Sequence, residues 1–302
     1  MLASETPLDT LGAPAQAHLM PGAGADAERV HVSGILERLV GLGRPVVMGI
    51  LNVTPDSFSD GGRFLDVTAA LRQAEKMVAE GADILDIGAE STRPYGGAIS
   101  VPAEEELRRL ERVLPAAVSL GLPISVDTMK ASVAQWALER GAAMINDVWG
   151  LQRDPALAHV VAQAAAPVII MHNREEADPE LDIMRDIARF FERSLDIAAA
   201  IGIARHQIVL DPGIGFGKTP EQSMIAIAKL AELQCFRLPL LVGASRKRFI
   251  AKVAPADPGR RLGGSIAAHL LAVTNGASMV RVHDVHETVQ ALRVGAAIRS
   301  AG

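Results

Sequence analysis

Eight short apolar runs, most of them followed by a longer stretch with helical spacing, recur from Pro45 onward. They are Val46–Leu51, Ile84–Ile87, Ile124–Val126, Met144–Ile145, Val168–Met171, Ile208–Leu210, Leu240–Val242 and Met279–Val282. Runs of this length and composition read as buried strands. Amphipathic stretches such as Thr68–Glu80, Ala103–Ser119, Ile183–Ile201 and Ile266–Thr274 lie between them. Strand followed by helix, repeated without hairpin signals, requires parallel strands joined by right-handed crossovers. Eight such units over roughly 250 residues match a (β/α)8 TIM barrel better than an open doubly wound sheet, which usually carries five or six strands. The expected architecture is therefore α/β, a single barrel domain over residues 31–302. Residues 1–30, rich in Ala, Gly and Pro and without a sustained period, are expected to form a mobile N-terminal extension. Two long loops, residues 53–66 after strand one and 88–102 after strand two, are rich in Gly, Ser, Thr, Asp and Pro. In this fold they overlie the C-terminal mouth, the usual place of a barrel's active site, so both read as lids.

Charge and cysteine usage narrow the function classes. Thirty Lys and Arg against 35 Asp and Glu give a formal net charge of −5 over 302 residues, which provides no general attraction for a polyanion. Nucleic-acid binding is not expected, and any anion must be held locally. The single cysteine, Cys235, excludes an internal disulfide and a multi-cysteine metal site. A reducing, cytoplasmic setting is the expectation. No apolar run approaches the roughly 18 residues that span a bilayer, so no membrane partner is expected. The opening residues carry early acids instead of a basic and then apolar leader, so no secretory signal is expected.

Chemistry enters where polar residues fall on the strand ends. Asn52 follows strand one, Asp86 lies in strand two, Asp127 ends strand three and Asn146-Asp147 end strand four. His172, Asp211, Lys247, and the pair Arg281 and His283 serve strands five to eight in turn. Helix capping explains one or two such residues. It does not explain two amides, several carboxylates and three basic side chains delivered to one rim by eight strands. The glycine-rich stretch Asp211–Thr219 is not a P-loop, because Pro212 stands where the first glycine is required. It reads as a close-approach loop with one aromatic face, Phe216, better suited to a flat ring than to a triphosphate. His283, His286 and Glu287 resemble part of a helical metal motif, but no third ligand has matching spacing. Beside Arg281, His283 is better placed to hold a phosphate or diphosphate, with Arg63 and Arg93 adding charge from the two long loops.

The stretch Met48-Gly49-Ile50-Leu51-Asn52-Val53-Thr54-Pro55-Asp56-Ser57-Phe58-Ser59-Asp60-Gly61-Gly62 resembles the signature of the dihydropteroate synthase family. A second signature, Asp86-Ile87-Gly88-Ala89-Glu90-Ser91-Thr92-Arg93-Pro94, follows at the family's distance. Shorter matches include Ser125–Thr128, Asn146-Asp147, Met171-His172, Asp211–Lys218, Gly243–Lys247 and Arg281–Asp284, so the resemblance runs from about Pro45 to the C-terminus. It implies a (β/α)8 transferase that joins 6-hydroxymethyl-7,8-dihydropterin diphosphate to 4-aminobenzoate, giving 7,8-dihydropteroate and diphosphate for folate synthesis.

By the same resemblance, Asp127, Asn146, Val148, Met171, Asp211, Gly243, Lys247 and Arg281 take the pterin positions. Asn52, Arg63, Arg93, Arg281 and His283 take the diphosphate positions, with Asn52 also supplying an oxygen to Mg²⁺. The aminobenzoate positions are Thr92, Pro94, Phe216, Lys247 and Arg248. The implied chemistry is dissociative: Arg93, Arg281, His283 and Mg²⁺ steady the departing diphosphate. Asp56, Asp127 and Asp211 stabilise the pterin cation, and Lys247 completes the catalytic set. At Arg248 the sequence departs from relatives that carry serine there. A homodimer is implied, with Val285–Ile298 as a candidate interface helix. Two alternatives use a similar barrel: a methyltransferase acting from a methylated folate to a corrinoid protein, and a paralogue that binds pterin without turnover. The first needs neither a diphosphate site nor a second aromatic pocket.

Overall fold

Eight parallel strands form the centre: β1 Val46–Asn52, β2 Ile84–Gly88, β3 Ile124–Asp127, β4 Met144–Asp147, β5 Val168–Met171, β6 Ile208–Asp211, β7 Leu241–Val242 and β8 Met279–Val282. The computed structural model describes residues 34–53, 63–90 and 101–301, so the expected N-terminal extension lies outside the described residues. The strand order is β6-β5-β4-β3-β2-β1-β8-β7. β6 and β7 meet through one parallel bridge, Leu210 with Leu240, and the Leu210 N–H donates to the Pro239 carbonyl at 3.0 Å. The sheet is thereby a nearly closed barrel, as the eight-unit count predicts.

Eleven α-helices accompany the strands among the described residues. α1 Ile35–Val40 precedes β1, α2 Arg63–Ala79 follows it, and α3 Ala103–Leu110 and α4 Leu114–Val118 follow β2. α5 Ala131–Glu139, α6 Pro155–Ala164, α7 Ile183–Ile201 and α8 Pro220–Ala228 follow β3 to β6. α9 Arg248–Val253 and α10 Leu262–Thr274 follow β7, and α11 Val285–Ser300 follows β8. Two expectations are corrected. Ala103–Ser119 is two helices, because Pro115 at the start of α4 lacks an N–H to continue the first. Arg63 belongs to the backbone of α2, not to the loop before it, since the helix begins five residues before Thr68, where the expected amphipathic stretch opens.

Alternation along the strands sorts the side chains. Val47, Leu85, Ile145, Ile170, Leu210 and Val280 face outward into the buried layer under the helices. Val46, Met48, Ile84, Met144, Ile169, Val209, Leu241 and Met279 face inward as a separate apolar cluster, with Ile35, Leu36 and Leu39 of α1 closing its lower end. With a side-chain period of two, the next inward positions toward the C-terminal mouth are Asp86, Asn146, Met171, Asp211, Gly243 and Arg281. The polar layer therefore lies directly on an apolar plug.

Candidate active site at the barrel mouth

Parallel register sets neighbouring polar side chains side by side. Asp127 pairs with Asn146 across β3 and β4, and Met171 pairs with Asp211 across β5 and β6. Asp86 is fully buried and its Oδ2 accepts two bonds, from Arg281 Nε at 2.6 Å and Asn146 Nδ2 at 3.1 Å. Arg281 reaches on to Asp127 Oδ2 at 2.8 Å, so one guanidinium bridges two carboxylates. Asp86 Oδ1, Asp127 Oδ1 and Asn146 Oδ1 are buried and have no hydrogen-bond partner among the described residues. Buried acceptors of this kind call for donors, and the ring is built to receive N–H groups.

Burial raises the Asp127 carboxyl against the pull of Arg281, with Asp86 adding to the rise. Asp211 is pushed up to about 6 by burial, opposed by the Gly213 N–H that donates to its Oδ1 at 2.7 Å and by the nearby Lys247 charge. Lys247 is itself lowered to about 8 by burial and by Arg281. Its Nζ lies 4.0 Å from the centre of the Phe216 ring, an ammonium over an aromatic face. Phe216 packs in one buried cluster with Val148 and Met171, and Met129 and Trp149 lean on it. The three apolar residues assigned to two substrates thus form a single wall.

His283 stands beside Ser245, with Nδ1 2.9 Å from the hydroxyl oxygen. Burial, Arg246 and Arg281 lower it to about 3, so at neutral pH it is an uncharged hydrogen-bonding group. The low-dielectric pocket and two guanidiniums disfavour a further charge there. Gly243 borders the Arg281 side chain, where a β-carbon would lie 3.7 Å from Arg281 Cβ. Arg248 opens α9 and is exposed. Asn52 ends β1 opposite Gly88, and a β-carbon at 88 would lie 3.7 Å from Asn52 Oδ1. Asp56, Thr92, Arg93 and Pro94 lie outside the described residues, as does the Arg63 side chain.

Two groups carry more than their sequence context announced. Asp86, counted on the rim without a role, is the hub of the buried ring. Lys218, noticed only within a failed P-loop, is buried with its Nζ 2.6 Å from His172 Nδ1. Its sole signal in sequence is a lysine ending a glycine-rich loop.

Comparison with known proteins places this arrangement. Residues 48–283 match the model of the pterin binding enzyme family. The dihydropteroate synthase of Synechocystis is 44% identical over 265 residues, covering 84% of this chain and 90% of the relative. Among solved structures, the dihydropteroate synthase of Xanthomonas albilineans with 4-aminobenzoic acid aligns with TM-score 0.82 at 45% identity, covering 85% of this chain and 94% of that one. The dihydropteroate synthase of Clostridium difficile, solved in the presence of pteroic acid, aligns with TM-score 0.81 at 47% identity, covering 85% and 97%. The barrel, its polar layer and these matches have one reading: the chain belongs to the pterin-binding enzyme family and, within it, to the dihydropteroate synthases.

Proposed function

We propose that the barrel mouth carries out the dihydropteroate synthase reaction, condensing 6-hydroxymethyl-7,8-dihydropterin diphosphate with 4-aminobenzoate to give 7,8-dihydropteroate and diphosphate. The observation that carries this reading is the buried ring of Asp86, Asn146, Arg281 and Asp127, whose three unmatched acceptor oxygens suit the N–H edge of an aminopyrimidine. Asp211 accepts from the same edge, and Lys247 donates to the ring carbonyl or nitrogen. Val148, Met171 and Phe216 supply the apolar faces.

The mechanism is dissociative. The bond from the pterin methylene to the diphosphate oxygen breaks first, its electron pair leaving with the diphosphate, and the pterin becomes a delocalised cation. Carboxylates at 127 and 211 are placed to stabilise that charge in a site with little water. The aminobenzoate nitrogen then attacks the methylene, and the proton it loses passes to the released diphosphate or to water. Arg281 stays fixed between Asp86 and Asp127 and turns its remaining N–H groups to the diphosphate, while His283 donates a neutral hydrogen bond. Asp56, Thr92, Arg93 and Pro94 join from the two loops and Arg63 from the start of α2, and Arg248 serves the aminobenzoate carboxylate.

Asn52 offers a hard carbonyl oxygen, a suitable donor for Mg²⁺, and no group of three or more His, Cys, Asp or Glu among the described residues could form a metal site. One protein ligand fits an ion that keeps its waters and is held chiefly by phosphate oxygens. When bound, Mg²⁺ supplies charge neutralisation of the leaving group. A cytoplasmic setting accords with the lone, exposed, unpaired Cys235. No helix among the described residues is long and apolar enough to cross a membrane. The proposed homodimer uses α11, where Val294 and Ile298 are 54% and 69% exposed, one turn apart on one face.

Purified protein given the pterin diphosphate, Mg²⁺ and 4-aminobenzoate is expected to form dihydropteroate and diphosphate without any corrinoid protein. Tight pterin binding with no product would instead identify a non-catalytic paralogue. Asp211→Asn is expected to fold normally yet lose at least tenfold in pterin affinity by calorimetry, because an amide cannot accept at both positions. Unchanged affinity would remove Asp211 from the pterin site.

A further inference from the structure

The loop from Asp211 to Lys218 is fastened at both ends to one residue, His172, which directly follows the neighbouring strand β5. The His172 N–H donates to the Asp211 carbonyl at 2.8 Å, and the His172 ring meets Lys218 Nζ at 2.6 Å through Nδ1. Lys218 Nζ also donates to the Phe216 carbonyl at 3.0 Å. His172 Nε2 lies 3.0 Å from Asp186 Oδ2, which also accepts from Arg174 NH1 at 2.9 Å. This arrangement assigns the tautomer: the imidazole proton sits on Nε2 and faces a carboxylate, leaving Nδ1 to accept from the lysine. His172 and Lys218 are buried, at 0% and 3% exposure, and neither has a part in the chemistry proposed above.

We propose that His172 and Lys218 are a positioning pair that closes the 211–218 loop, holding the Asp211 carboxylate and the Phe216 ring in place, and that Lys218 adds to the buried positive charge that keeps Asp211 ionised. The proposal rests on the pterin reading of the site and deepens it. Lys218 is one of three cations that face Asp211, with Lys247 after β7 and Arg281 on β8. Facing Lys218 itself are Asp211, Asp186 on α7, Lys247 and Arg174 after β5. Burial lowers His172 to about 4, so it remains the neutral acceptor that the geometry requires. Burial also brings Lys218 down to about 7 against the pull of Asp211 and Asp186, so its charge is present over the acid range in which Asp211 takes up its proton.

Two variants separate the hydrogen bonds from the charge. Lys218→Gln keeps an N–H donor and loses the charge, whereas Lys218→Met loses both. Calorimetry of the pterin diphosphate between pH 5.5 and 8 reads the result. At pH 8, Lys218→Gln is expected to bind within about threefold of wild type and Lys218→Met at least about tenfold more weakly. In both, the loss of affinity from pH 8 to 5.5 is expected to exceed that of wild type by about threefold, because a carboxylate robbed of a neighbouring cation protonates half a pH unit earlier. A merely structural lysine would lower the melting temperature and leave this acid limb in place. Long-range ¹H–¹⁵N spectra of wild type give a test that needs no variant, and are expected to show His172 neutral with its proton on Nε2. Folded variants matching wild type at both pH values, or a proton on Nδ1 of His172, would overturn the proposal while leaving the synthase reading intact. Wild-type protein that binds no pterin would overturn both.

Discussion

Gly213 stands at φ +66°, and a β-carbon there would lie 1.9 Å from the His172 carbonyl oxygen. Backbone, not a movable side chain, is the obstacle, so no rotamer change relieves it. Gly213→Ala is therefore expected to cost about 3 kcal/mol of stability in urea unfolding and to weaken pterin binding, because the same N–H holds Asp211 Oδ1. Arg246 shows the opposite solution. It occupies φ +58° with a full side chain, and its N–H donates to Ser265 Oγ at 2.9 Å, its carbonyl accepts from Arg261 at 2.9 Å, and its Nε meets Asp284 at 3.1 Å. Those contacts fix the turn that presents Lys247. Residues such as Asp127, Asn146 and Asp211 are legible in sequence because each ends an apolar run, and a strand end in a parallel barrel has one destination. Lys218 is not legible in that way: its defining partner, His172, lies 46 positions away, and nothing local distinguishes a buried lysine from a solvated one.

Three elements near the mouth are joined by one partly buried cation. Lys130, between β3 and α5, donates to Glu106 of α3 at 2.7 Å and also to Glu90 beyond β2. Glu90 in turn accepts from the Val101 N–H at 3.2 Å, so the two ends of the connection from 90 to 101 are held together. Glu106 is fully buried, and burial pushes its carboxyl up while Lys130 pulls it down. Lys130→Met would strand two carboxylates and is expected to cost about 3–5 kcal/mol in denaturant unfolding. The double variant with Glu106→Leu is expected to recover part of that loss, since an apolar pair needs no compensation. None of this triad is apparent in sequence, where Glu104, Glu105 and Glu106 read as an ordinary acidic first turn. The strands were legible because burial on both faces leaves an uninterrupted apolar run. Helix ends are less so: the break before α4 depends on one proline, and α2 opens at Arg63, five residues before the expected stretch.

At the level of the whole molecule, one outer face and the buried interior each give a response that can be measured. If the proposed dimer uses α11, Ile298→Asp is expected to yield a monomer by light scattering with barrel stability retained, because the side chain is 69% exposed in the single chain. The interior carries opposing pH sensitivities. His172 and His269 are lowered to about 4 and His283 to about 3, all by burial. Each binds a proton near pH 6.5 only when unfolded, so the stability it contributes is complete above 6.5 and is lost as pH falls toward its folded value. Asp147 and Asp211, pushed up to about 6 by burial, act in reverse: the folded state takes their protons first, and stability is regained as pH falls from 6 toward 3.8. The two sets oppose each other in wild type, and removing one member exposes its share. His269 has no part in the proposed chemistry, and its Nε2 accepts from the Ala244 N–H at 3.1 Å. A glutamine there can offer an amide oxygen to the same N–H without taking a proton. Between pH 7 and 4.5, His269→Gln is therefore expected to lose about 2 kcal/mol less stability than wild type, read by urea unfolding at each pH. Equal losses in the two proteins would mean that His269 titrates alike folded and unfolded, and that its burial exerts no hold on its charge.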